Sequence, residues 1–177
     1  TNHSSRRASG TRLNSGVRQH MKVRVLVLLF ASSGLVACAS LPHATDEMCV
    51  SVLDFAESVG PDDVRSITFH TSWGGNFRDD PEPAIFAKRC VHEDYAPAEA
   101  VCAYLMQHGA TEFSGNNVER MLSCLAPRTR FGSSIDLNEG QFSVRFGTPD
   151  RGSHISIDFR EDLEIGGMVL RVKADGY

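Results

Sequence analysis

The chain has 177 residues, of which 41% are hydrophobic, enough to build the core of one ordinary domain. All 22 acidic residues lie after Cys38, whereas six of the 18 basic ones precede it; that portion therefore sets 12 basic against 22 acidic residues, a net charge of −10. Such a balance repels nucleic acid and anionic lipid headgroups and suits basic proteins or cations.

Residues 1–20 carry Arg6, Arg7, Arg12 and Arg18 among Ser, Thr and Asn, with no apolar periodicity, and begin with Thr. They are expected to be a non-native or mis-started segment outside the fold. In residues 21–37, Lys22 and Arg24 precede an apolar run from Val25 to Ala31, which Ser32, Ser33 and Gly34 break. This is the layout of a secretory signal peptide. It ends in Leu35, Val36, Ala37 and Cys38, which resembles the lipobox of bacterial lipoproteins. The resemblance implies cleavage before Cys38, lipid with palmitate chains on its thiol, and a membrane anchor in the cell envelope. Ala39, where an Asp would favour retention, implies the outer membrane, facing the periplasm. An ordinary signal followed by an incidental cysteine is the alternative. Residues 38–44 then form a short tether, and residues 45–177 a single domain. No second apolar run reaches the roughly 18–20 residues that span a bilayer.

Four cysteines remain, Cys49, Cys90, Cys102 and Cys124, and an even number in an exported domain predicts two disulfides. No C-x-x-C pair occurs, so no zinc or thioredoxin-like motif is indicated, and no cofactor or metal is expected.

Thr45 is a candidate cap for a helix with Asp46 and Glu47 in its first turn. Its apolar stripe is Met48, Cys49, Val52, Leu53, Ala56 and Val59, and Gly60 with Pro61 ends it. From Val64 to Trp73, Ile67, Phe69 and Trp73 alternate with Ser66, Thr68, His70 and Ser72, predicting a strand with Trp73 in the core. Gly74 to Asn76 make a turn, Asp79 to Pro83 an acidic loop, and Ala84 to Val91 a short helix entered through Pro83.

Pro97 opens a second long helix with Ala98, Val101, Cys102, Leu105 and Met106 on one side, closed at Gly109. Asn116 and Glu119 resemble a capping box for a third, carrying Val118, Met121, Leu122 and Leu125. The short connection predicts that these two helices pair, so that Cys102 meets Cys124 and Cys49 is left to Cys90.

From Ser133 the period changes to two. Ile135 and Leu137; Phe142, Val144 and Phe146; Ile155, Ile157 and Phe159; and Met168, Leu170 and Val172 predict a four-stranded C-terminal β-meander. Its single apolar face needs a cover, and the helices supply it. The expected fold is α+β, with amphipathic helices on one face of a mostly antiparallel four- to five-stranded sheet.

No G-x-S-x-G, H-E-x-x-H or G-x-x-x-x-G-K-[ST] pattern occurs, which leaves hydrolase, zinc-protease and nucleotide readings without their usual motifs. The polar face of the meander, with Arg145, Asp158, Arg160 and Arg171, is the candidate binding face for an envelope or secreted protein. Together with the lipobox resemblance, the expectation is an envelope lipoprotein with a small protein-binding domain, such as an inhibitor or an immunity factor. The competing reading is an enzyme acting on cell-wall material through His70 and the Asp79, Asp80 and Glu82 loop.

Overall fold

The structure, a computed structural model, describes residues 46–132 and 136–177. Residues 1–20, the signal segment, Cys38 and the tether therefore lie outside the described residues, as does Thr45.

Helix α1 (Glu47–Ser58) is capped by Asp46, whose carboxylate accepts the Met48 N–H at 2.9 Å. Asp46 is the N-cap residue, in the role for which the sequence suggested Thr45. The helix buries Met48, Cys49, Val52, Phe55 and Ala56. Strand β1 (Val64–Trp73) follows, then β2 (Phe86–Val91). The segment expected as a helix entered through Pro83 is this second strand, paired antiparallel to β1 from Trp73↔Phe86 to Thr68↔Val91.

Helix α2 (Ala96–His108) buries Ala98, Val101, Cys102 and Leu105. Lys88 of β2 donates to the Met106 carbonyl at 3.2 Å, in the last turn, where a helix lacks its own donors, and reaches the Leu105 carbonyl, which also takes the Gly109 N–H. Helix α3 (Gly115–Leu125) starts one residue before Asn116, so the expected capping box does not form. Asn117 instead donates to the Ala110 carbonyl at 2.9 Å and accepts the Ala110 N–H at 2.8 Å, clamping the connection from α2.

Strands β3 (Gly140–Gly147), β4 (Gly152–Glu161) and β5 (Met168–Gly176) form the C-terminal meander. It has three strands where four were expected. Leu137 is not in a strand, and Ile135 lies outside the described residues. The sheet is antiparallel in the order β2-β1-β5-β4-β3, so β2 supplies the fifth strand and β5 stands in the middle. Gly167, in the β4–β5 turn at φ +76°, packs against the backbone of Thr71, which leaves no room for a side chain.

The three helices cover one face, and the fold is the α+β arrangement anticipated from periodicity. Ile67, Phe69, Ile155, Ile157, Phe159, Leu170 and Val172 meet the helical stripes in one core. The hydroxyl of Ser153 enters it and donates to the Ala56 carbonyl at 2.7 Å.

Two disulfides brace this layer, but the pairing differs from the expected one: Cys49 joins Cys124 and Cys90 joins Cys102, with Cα separations of 5.0 and 5.6 Å. The physical reason is the place of α1. It packs against both α2 and α3, so Cys124 faces α1, while Cys102 looks down on the edge strand that carries Cys90.

Trp73 also departs from expectation. It lies in phase with Ile67 and Phe69 but is 53% exposed, and Phe86 opposite it is 54% exposed. Helix α2 ends at His108, and the bonds from Lys88 to its last turn mark how far the cover reaches. The next row of the sheet, Trp73 and Phe86, overhangs that end.

Candidate functional site

The sheet face away from the helices is set by the register. Arg145 stands opposite His154, Ser143 opposite Ser156, and Gln141 opposite Asp158. On the other side of β4, Asp158 stands opposite Arg171, Ser156 opposite Lys173, and Arg160 opposite Val169. All four residues of the candidate binding face, Arg145, Asp158, Arg160 and Arg171, therefore share one surface. They are not locked to one another by tight pairs: Arg160 and Asp158 approach to 3.8 Å, and the Arg160 side chain is about half exposed. Arg145 instead lies over the Tyr177 ring, 5.9 Å from its centroid, and His154 stacks on the same ring at 4.9 Å. Tyr177 is fixed by its hydroxyl, which donates to the Thr148 carbonyl at 3.0 Å.

The register continues through β5 into β1, where Thr68 stands opposite Arg171 and His70 opposite Val169. His70 thus belongs to the same face as the four charged residues. Its end of that face is roofed. Phe77, buried, packs edge-on against the imidazole at 6.2 Å, and Arg89 covers the Phe77 ring at 4.8 Å.

His70 is met by Asp162, which lies in the β4–β5 turn with Oδ2 3.4 Å from Nδ1. Both side chains are only 12% exposed, and Nδ1 has no hydrogen-bond partner. Burial lowers the imidazole below its ordinary value of 6.5; Asp162 opposes this, while Arg89 and Arg171 reinforce it. The Asp162 carboxylate is held below the usual aspartate range chiefly by the Ile165 N–H, with the Glu164 N–H, His70 and Arg171 adding to the effect. A neutral imidazole beside an ionised carboxylate is the arrangement of a base and its orienting partner. Here Phe77 packs against the imidazole, which limits access to it.

Of the carboxylates that the sequence associated with His70, Asp79 and Asp80 have other partners, although Asp79 still acts on His70 through its charge. Asp79 forms a two-pronged pair with Arg89, at 2.7 and 3.0 Å, and that bond lowers its pKa. Asp80 accepts the Glu82 N–H within its own loop, and Glu82 is exposed, with its carbonyl taken by Asn76. Asp162 and Phe77 were not singled out from sequence. An Asp opening a Gly-rich connection signals a turn, and nothing in it points 92 positions back to His70. Phe77 is an aromatic residue within the polar run from Gly74 to Pro83, the one trace in the sequence of a roof over His70.

A cleft of about 300 Å³ lies elsewhere, where Phe113, Gly115, Asn116 and Leu137 meet Phe159 and Met168. Among the described residues no group of three or more His, Cys, Asp or Glu side chains is placed to hold a metal ion, and no helix is long and apolar enough to cross a membrane.

No protein-family model, curated protein or solved structure matches the chain.

Proposed function

We propose that this chain is a lipid-anchored protein of the bacterial cell envelope, held through Cys38 in the outer membrane, whose domain binds an envelope or secreted protein. The anchoring half of this reading is supported by the basic, apolar and small-residue segments that end in Cys38. Two disulfides accord with an oxidising compartment.

The binding half is carried by one observation: Arg145, Asp158, Arg160 and Arg171 share the face of a five-stranded sheet that the helices leave free. Sheet register fixes their spacing before any partner arrives, which reduces the ordering cost of an interface. Arginine is also among the residue types enriched at binding hot spots. The enzyme reading draws less support, because His70 is roofed by Phe77 and, of the loop carboxylates, Asp79 is paired with Arg89 and Asp80 with its own loop backbone.

The test compares the full chain with Arg145→Ala/Arg160→Ala in a pull-down from envelope extract. Arg160 is chosen over Arg171 because Arg171 also acts on His70 and Asp162. A partner retained by the parent should be weakened about tenfold or more, since loss of even one hot-spot residue costs about 2 kcal/mol and about 1.4 kcal/mol is already tenfold, while the melting temperature stays put. Equal retention by the double variant removes the face from the reading. A cellular phenotype lost with His70→Gln while the partner stays bound restores the enzyme.

A further inference from the structure

Among the described residues nine large hydrophobic side chains are exposed, and six of them, Trp73, Ile85, Phe86, Met106, Phe113 and Leu163, lie at one end of the domain. Trp73 and Phe86 end β1 and begin β2, Ile85 precedes Phe86, and Met106 is in the last turn of α2. Phe113 lies in the α2–α3 connection and Leu163 in the β4–β5 turn, which leave from the same end of the layers. The remaining three are single valines, Val50, Val64 and Val91. Scattered apolar residues need no explanation, but a cluster of this kind marks a contact surface.

The start of α1 lies at this end too. Asp46 binds Arg120, which also bonds the Tyr104 hydroxyl at 2.7 Å, and Tyr104 is one turn before the end of α2. From Asp46 the sequence runs back eight residues to Cys38. Fully extended, that length spans at most about 29 Å, at roughly 3.6 Å per residue. A domain of this size is about 35 Å across, so a lipid on Cys38 leaves little freedom for the far end to turn toward the bilayer.

We infer that the Trp73, Ile85 and Phe86 end of the domain seats on the surface of the bilayer that holds the anchor. The inference rests on the lipid attachment proposed above. Its chemistry is shallow insertion of apolar and aromatic side chains at headgroup level, where tryptophan is favoured. Glu82, Glu112 and Glu164 stand exposed at the same end, so the surface it fits is zwitterionic rather than anionic. Seated in this way, the open sheet face stands beside the membrane and remains accessible to a protein.

The chain contains a single tryptophan, which makes the contact directly readable. The lipid-modified protein is incorporated into phosphatidylcholine vesicles with brominated acyl chains, and flotation is measured together with Trp73 fluorescence. Support is co-flotation with a blue-shifted emission and quenching of about twofold, the depth expected for interfacial insertion. Ile85→Ser/Phe86→Ser should float equally well, melt at the parent's temperature and lose most of the quenching. Co-flotation with Trp73 unquenched and open to acrylamide overturns the inference while leaving the lipid anchor intact, and points that end toward a protein instead. Failure to float overturns the anchor itself, and the inference with it.

Discussion

The Ser153 hydroxyl, fully buried at the start of β4, donates to the carbonyl of Ala56 in the last turn of α1, 97 positions earlier. The last four carbonyls of a helix lack intrahelical donors, so this bond satisfies a group that the core would otherwise strand. It also fixes the helix end to the sheet.

Ser153→Ala removes the donor and leaves the Ala56 carbonyl dry and unpaired, at a cost of about 1–3 kcal/mol. For a domain of this size that lowers the melting temperature by roughly 3–10 °C. Ser51→Ala is the control: its hydroxyl donates to the Glu47 carbonyl at 2.9 Å in an exposed bond, and water replaces it. Equal losses in the two variants would show that burial does not set the cost.

The disulfide pairing makes a graded prediction. Cys49–Cys124 spans 75 positions and Cys90–Cys102 spans 12. The chain-entropy model values these loops at about 4.5 and about 3 kcal/mol. Cys49→Ala/Cys124→Ala should therefore melt below Cys90→Ala/Cys102→Ala. Non-reducing peptide mapping checks the connectivity itself, and a peptide joining Cys102 to Cys124 would refute it.

What the residues disclosed in advance follows from where a periodic signal exists. The stripes of α1, α2 and α3 and the alternation in β1, β3, β4 and β5 each answer to one buried face, so their positions were readable. Strand β2 was not: in Phe86–Val91 the side chains end a helix, bridge to α2 or overhang the sheet, and neither period survives. The disulfides were misassigned because pairing depends on α1 contacting both other helices, a fact of layout that chain spacing does not carry. Phase did place Trp73 on the helix side, but phase is silent on where the helix above it stops. The charged face was legible from alternation, whereas its continuity with His70 required the β1–β5 register.

Stability should fall on mild acidification. His70 has a folded pKa below its ordinary 6.5, so between those values the unfolded chain holds more protons and stability rises with pH. The contribution is present above 6.5 and is lost as pH falls through the depressed folded value. Melts from pH 7.5 to 5 should show the decline, and His70→Gln should flatten it. An unchanged slope in that variant assigns the decline elsewhere. A second loss below about 3.8 follows from Asp46, Asp79 and Asp162, all lowered in the folded chain.

Cys38→Ala tests the anchor. Under the lipobox reading it abolishes lipid labelling and blocks normal processing. Under an ordinary signal the variant is still cleaved and released as soluble protein. Recovery of the unmodified parent as a free periplasmic species would sink the lipoprotein assignment.

The central place of β5 bears on the order in which the molecule assembles. Residues Met168–Gly176 join the β1–β2 hairpin to the β3–β4 hairpin, and no other strand touches both. A chain cut short of Met168 holds two separate ribbons, each with a bare edge facing the gap. Because β1 is paired to β5 about a hundred positions later, closing the sheet is a late, non-local event. Until then the exposed edges invite pairing with other chains. On the export proposed above, the sheet cannot close until the last strand has crossed the membrane, which suits passage of the chain unfolded.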